Sequence, residues 1–186
     1  RNQDDRARRA RMFGNVYAQL TLAEDFKFRS SFGADITTRR AIDIGRPQPE
    51  YVEGNFINGQ TSAQSWGYEW VFTNTLSWSK MINDVHDISA LVGVEAIEGY
   101  GEYFGAGRQR FPFQTTSIIS YLDLGNQGTA SNFGNISKDF SLWSQFAQAN
   151  YQYNEKYLAQ VTVRNDASSR FRSATNSGLF PAFSLG

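Results

Sequence analysis

The stretch Trp66-Gly-Tyr-Glu-Trp-Val-Phe-Thr-Asn-Thr-Leu-Ser-Trp-Ser-Lys80 constrains this chain more than any other feature. Its even positions are Trp66, Tyr68, Trp70, Phe72, Asn74, Leu76 and Trp78; its odd positions are Gly67, Glu69, Val71, Thr73, Thr75, Ser77 and Ser79. Successive strand residues point to opposite faces, so one face is aromatic and the other mostly polar. At about 3.3 Å per residue the run is roughly 45 Å long. Strands of soluble proteins usually have about 5–6 residues. Such a strand suits a wall between lipid and water, where only helices and closed barrels leave no backbone group unpaired.

The same period recurs. Seven strand candidates cover 15–22, 26–38, 66–80, 87–96, 140–153, 157–166 and 180–185. Their apolar sets include Val16, Ala18, Leu20 and Leu22; Phe26, Phe28, Phe32, Ala34 and Ile36; Ile88, Ala90, Val92 and Val94; Ala147, Ala149, Tyr151 and Tyr153; and Tyr157, Ala159, Val161 and Val163. Ser89, Gly93 and Glu95 fall opposite the third of these sets. The connections alternate: short at 23–25, 83–86 and 154–156, long at 39–64 and 98–138, moderate at 167–178. Outer-membrane barrels have short periplasmic turns and longer extracellular loops, so the short turns are expected in the periplasm and the long connections at the cell surface. The expected fold is all-β: an antiparallel transmembrane β-barrel, here a partial wall of about seven strands.

Composition removes rival classes. The 186 residues contain no cysteine, one histidine and equal numbers of basic and acidic side chains, 18 each. This leaves no disulfide framework, no thiolate or multi-histidine metal site and no general nucleic-acid footprint. Mean hydropathy is −0.48, which a barrel with a polar lumen tolerates. The chain opens at Arg1 without an initiator Met or secretion signal and closes within a strand pattern. Both ends read as cuts through a longer protein. Seven strands do not close an ordinary bacterial barrel, where even numbers from eight upward are the rule.

The charged run at residues 1–11 reads as a solvated loop or frayed end, with an anion-binding patch as the second reading. His86, beside Asn83, Asp84 and Asp87, reads as a solvated turn residue. Gly99-Tyr-Gly-Glu-Tyr-Phe-Gly105 lacks the spacing and following helix of a phosphate loop. Asp123 lacks the twelve-residue pattern of a calcium loop. Nothing points to catalysis, a cofactor or a metal.

Several stretches resemble one family: Gly14-Asn-Val-Tyr-Ala-Gln-Leu20, Phe28-Arg-Ser-Ser-Phe-Gly33, Leu91-Val-Gly-Val-Glu95, Asn150-Tyr-Gln-Tyr-Asn-Glu-Lys-Tyr157, Arg164-Asn-Asp-Ala-Ser-Ser-Arg-Phe171 and Phe180-Pro-Ala-Phe-Ser-Leu-Gly186. They are similar to the barrel of SusC/RagA-type TonB-dependent transporters. The last three are the most specific, although Ala167 stands where the family often has Gly. The resemblance implies a 22-stranded outer-membrane barrel with an N-terminal plug and a TonB-contacting segment. It also implies import of glycans or peptides with a SusD-type surface lipoprotein, driven by the TonB complex. Residues 1–186 would be a fragment of the barrel domain, with plug and TonB-contact segment absent, and should not transport alone.

Two residue groups are candidates for function. Glu69, Arg164, Asp166 and Arg170 are expected to form a lumen-side charge network, with substrate contact as the second reading. Tyr100, Tyr103, Phe104, Phe111 and Phe113 offer stacking faces for sugar rings or peptide side chains; loop self-packing or contact with the lid lipoprotein is the other reading. A passive porin-like channel wall and a soluble β-rich binding module are the alternative functions.

Overall fold

The structure, a computed structural model, describes residues 3–47, 57–112, 121–171 and 177–186. Seven strands make one sheet in chain order. They are β1 (Gln3–Ala23), β2 (Phe26–Gly45), β3 (Gly59–Ile82), β4 (His86–Gln109), β5 (Ser131–Tyr153), β6 (Tyr157–Ser168) and β7 (Ser177–Leu185). Two single 3-10 turns, Leu122–Leu124 and Gln127–Thr129, are the helical segments among the described residues. The β5–β6 and β6–β7 pairings are antiparallel. The tight connections at 24–25 and 83–85 likewise suit only antiparallel neighbours.

The strands outrun the alternating segments. The charged residues up to Arg11 lie in β1, not in a loop, and Tyr100, Tyr103 and Phe104 lie in β4, not in a connection. The long connections shrink to 46–58 and 110–130. Alternation fades where both faces of a strand meet polar surroundings, yet the neighbouring strand still supplies ladder partners, so pairing continues.

Two turns close with paired left-handed residues. Asn83 and Asp84 have φ of 51° and 55°, Asn154 and Glu155 of 46° and 55°. Val85 N–H donates to Ile82 and Lys156 N–H to Tyr153. These are type I′ turns, whose twist matches that of antiparallel strands. Asn and Asp tolerate this region; Glu155 does so at a cost.

Internal contacts group into two units: residues 1–12, 36–68 and 100–138, and residues 13–35, 69–99 and 139–186. In the second unit the faces sort cleanly. Ser144, Phe146, Gln148 and Asn150 of β5 stand opposite Asp166, Arg164, Thr162 and Gln160 of β6 on one face. Ala147, Ala149 and Tyr151, opposite Val163, Val161 and Ala159, share the other. Pro181, Phe183 and Leu185 of β7 extend this apolar face. On β2 and β3 it carries Phe32 stacked on Trp70, with ring centroids 6.3 Å apart, and Phe26 against Trp78 at 6.4 Å. Phe72 lies on this side, and Glu69 and Thr73 on the other.

In the first unit, Trp66, Tyr68 and Tyr100 form an aromatic cluster with centroids 5.7–6.2 Å apart. Glu102 accepts from both Trp66 Nε1 and Tyr100 Oη. Between these rings in sequence, Gly67 allows a close backbone approach: a Cβ there would stand 2.8 Å from the Tyr100 carbonyl oxygen. Phe111 is buried, and its backbone N–H and C=O are both bonded by the Asn58 amide.

Apolar side chains do not gather into an interior. Among the described residues, the buried apolar ones are Ala41 and Phe111, while Val16 is 69% exposed and Phe183 84%. A soluble module would hide such residues in a core. Here they form one face of a sheet, which is the disposition of a barrel wall.

Candidate functional site

The polar face of the second unit carries a compact charge cluster. Arg164 of β6 donates from Nε to Asp166 Oδ1 at 2.7 Å and from Nη2 to Glu95 Oε1 and Ser144 Oγ at 3.0 Å each. Thr73 Oγ1 of β3 donates to the other Glu95 oxygen at 3.2 Å. Four adjacent strands, β3 to β6, are thereby tied side chain to side chain. Ser144 is fully buried under the guanidinium. The Arg164 guanidinium also lies over the Phe146 ring at 5.7 Å. That ring fills the space above Gly93, where a Cβ would come within 2.4 Å of Phe146 Cζ. Glycine on β4 thus lets an aromatic from β5 lie flat beneath the arginine.

The structure joins Arg164 and Asp166 directly. Arg170 stands apart, over the Phe140 ring at 4.5 Å. Glu69 shares the polar face of β3 with Thr73, four positions away. Glu95 and Ser144 complete the cluster, and sequence reasoning missed them as members. Glu95 was visible as an inward acid opposite an apolar run, but its partner lies 69 residues on. Only the β4–β5 register, set across a long connection, brings them together.

The aromatic candidates separate. Tyr100 belongs to the apolar face with Trp66 and Tyr68. Tyr103, one face over, meets Phe133 at 6.4 Å, and Phe133 covers Gly105. Phe104 is exposed on the Tyr100 side, and Phe111 is buried between Gly125 of its own connection and Asn58 of the other. Phe113 lies outside the described residues. The glycines at 99–105 sit within strand β4, so no phosphate loop exists there.

His86 departs from expectation. It is the first residue of β4, stacked on Tyr151 at 5.9 Å and tilted against Tyr153 at 5.1 Å, with Nδ1 2.8 Å from Tyr151 Oη. Tyr157 stacks next to Tyr153, so these four rings edge the apolar face beside the turns. Such belts of amphipathic rings are found where membranes meet water. No group of His, Cys, Asp and Glu suited to a metal occurs among the described residues.

The remaining polar face carries mostly uncharged hydrogen-bonding side chains. Gln148 donates to Asn150, and Asn150 to Ser89, each at 3.1 Å. An open hollow of about 380 Å³ is lined there by Asp87, Ser89, Asn150, Gln152, Gln160 and Ser184. Chemically, the described residues of this face offer hydrogen bonds and charge to a polar solute.

No protein-family model matches the chain. It is 25% identical over 173 residues to TonB-dependent receptor P39 of Formosa agariphila, covering 91% of this chain and 16% of that protein. TonB-dependent receptor P26 of the same organism is 24% identical over 192 residues, covering 94% and 18%. The backbone matches the RagAB peptide transporter with a TM-score of 0.86 and 25% identity, over 99% of this chain and 20% of that one. The open-open state of the RagAB peptide importer matches with a TM-score of 0.87, over 98% and 20%. The chain therefore spans between 16% and 20% of the length of these relatives. With sequence and backbone in agreement over nearly the whole chain, this seven-stranded sheet matches part of a barrel wall of the SusC/RagA TonB-dependent transporter type.

Proposed function

We propose that this chain forms part of the barrel of an outer-membrane, TonB-dependent importer, within a polypeptide that also carries a plug and a TonB-contacting segment. The observation that carries this reading is the two-faced sheet, apolar on one side and hydrogen-bonding on the other, coupled with likeness to TonB-dependent receptors along almost its full length. A SusD-type surface lipoprotein is the expected partner. Peptides are the favoured cargo over glycans, because the structural relatives are described as peptide transporters. In this role the Glu95–Arg164–Asp166 cluster holds the wall together on the lumen side. Tyr103 and Phe133 are the aromatic rings that a passing substrate would meet.

The test uses the full-length protein in its own cells. Uptake of labelled oligopeptides and of labelled oligosaccharides is compared with and without the gene, and with the proton gradient collapsed. Gene-dependent peptide uptake that stops when the gradient collapses is expected. Uptake that persists without an energised inner membrane would favour a passive channel instead.

A further inference from the structure

A hollow of about 470 Å³ opens in the first unit where β2, β3, β4 and β5 run side by side, and nothing above gives it a role. That volume lies within the range of small-ligand pockets. Asp43 of β2, Thr61 of β3 and Ser131 of β5 stand round it, with Gly45, Gly59 and Gly107 as its floor. Gly107 sets the level of these side chains: a Cβ there would lie 3.2 Å from Thr61 Oγ1 and 2.9 Å from Ser131 Oγ. Gly45 adjoins the Gly59 carbonyl, so Asp43, two residues before Gly45, shares the level of Thr61, two residues after Gly59. Tyr103, Gly105 and Gly107 alternate along one face of β4, as Phe133 and Ser131 do on β5. Phe133 lies over Gly105 and against Tyr103, so the ring pair borders the hollow.

The floor and the charge both point to a ligand. Gly45 and Gly59 lie in strands and neither has a positive φ. A Cβ would meet nothing nearer than 3.9 Å at Gly45 and 3.4 Å at Gly59. Neither turn geometry nor packing therefore demands glycine at these positions, and glycine weakens a strand. Bare strand backbone is what a closely approaching ligand needs. Arg108 also borders the hollow, but its Nη1 donates to the Gly125 carbonyl oxygen at 3.4 Å. Among the described residues no cation pairs with Asp43, which is exposed. Ser131 Oγ donates to the Gly107 carbonyl and keeps its lone pairs for a donor, and Thr61 Oγ1 faces the same gap. One carboxylate and two hydroxyl oxygens complement a primary ammonium, which has three donors and no acceptor.

We propose that this hollow is a cargo subsite for the primary ammonium of a peptide, with Asp43 as its charge partner. Tyr103 and Phe133 then receive an apolar side chain further along the same peptide. Phe133 stands three strands from Asp43 and two residues along, about 15 Å away, which about four extended residues span. A neutral glycan would gain nothing from the charge of Asp43. The inference rests on the peptide-import reading, and its test separates the two.

Full-length protein is purified in detergent, with any lipoprotein that accompanies it, and titrated calorimetrically with three probes. They are an alanine pentapeptide with phenylalanine at its fourth position, its N-acetylated form, and the acetylated form with lysine at its first position. Wild type is expected to bind the free peptide tenfold or more tighter than the acetylated one. Recovery of affinity with the lysine probe assigns the site to any primary ammonium; no recovery assigns it to the peptide amino terminus. Asp43→Asn should bind the free and acetylated forms within twofold of each other. Gly45→Val, which fills the floor, should weaken the free form fivefold or more. Heat-dependent electrophoretic mobility identifies folded barrels; should the valine variant fail that criterion, Asp43→Asn decides. Equal affinity of wild type for the free and acetylated peptides, or a preference that survives in Asp43→Asn, would overturn the proposal. Gene-dependent peptide uptake without such a preference overturns this proposal alone, whereas uptake of oligosaccharides and not peptides overturns the peptide reading with it.

Discussion

Replacing Arg164 by Met tests the polar-face cluster directly. The guanidinium serves two carboxylates and a buried hydroxyl at 2.7–3.0 Å. The partners are intermediate in exposure, with side chains 36%, 20% and 27% accessible for Arg164, Glu95 and Asp166. An exposed pair contributes about 0.2–1 kcal/mol, whereas removing one member of a buried pair costs about 3–5 kcal/mol. Arg164 lies between these limits, and its loss also leaves two carboxylates on one face and the Ser144 hydroxyl without a donor. Met keeps packing over Phe146, so the expected loss is about 2 kcal/mol, close to a thirtyfold shift in the folding equilibrium. Glu95→Gln keeps the Thr73 bond and should cost less, about 1 kcal/mol. The assay is denaturant unfolding of the full-length protein in micelles, followed by tryptophan fluorescence, on wild type, both single variants and the double. A coupling of about 1 kcal/mol between Arg164 and Glu95 is expected, against the 0.3–0.5 kcal/mol scatter of independent sites. A loss under about 0.5 kcal/mol for Arg164→Met, or strict additivity, would refute the reasoning.

Phe72→Arg should destabilise the folded protein by about 2–4 kcal/mol if the apolar face meets the bilayer midplane, and by little if it does not, as read by the same unfolding titration. Gly67→Ala should cost about 1–3 kcal/mol, because its Cβ would meet a backbone oxygen that no rotamer change can move. Glu155→Gly should stabilise by about 0.5–1 kcal/mol through relief of a left-handed turn position, measured as a raised denaturation midpoint. Protease added to intact cells carrying the full-length protein should cut within 46–58 or 110–130 and spare 83–85 and 154–156; preferential cutting at Asn83 or Asp84 would invert the orientation. Residues 1–186 expressed alone should require detergent, and a monodisperse detergent-free monomer would restore the soluble module.

The period-two pattern located every strand and sorted its faces, because each strand has a different solvent on either side. Phe72 and Glu69 fall on opposite faces of β3 for that reason. The pattern failed at Gln3–Arg11, which is charged throughout, and at Tyr100–Gln109, where glycines, aromatics and charges mix: both stretches are strand without alternating regularly. It also says nothing of register between strands joined by long connections. Glu95 and Arg164 are a pair only because β5 intervenes with Ser144 at their level. His86 sits beside turn residues in sequence, while its ring partners Tyr151 and Tyr153 come from a hairpin more than sixty residues away. Tyr100 looked like a loop aromatic until β4 was seen to run through it.

A sheet without an interior needs another way to choose its register, and the two faces supply it. Sliding β6 by one residue against β5 would turn Arg164 and Asp166 to the apolar side and bring Val163 and Val161 to the polar one. In a bilayer, the misplaced arginine alone would cost about 2–4 kcal/mol near the midplane, and Glu95 would be left without its partner. A slip of β5 against β4 would in turn draw the Phe146 ring off Gly93 and expose a bare stretch of backbone. Burial in a core normally fixes strand pairing by shape; here the contrast between lipid and water fixes parity, and the Arg164 cluster fixes position along the strand. Other side chains of the polar face can then vary while the apolar face keeps the wall in place, provided that Arg164, Glu95 and the Gly93–Phe146 interlock are retained.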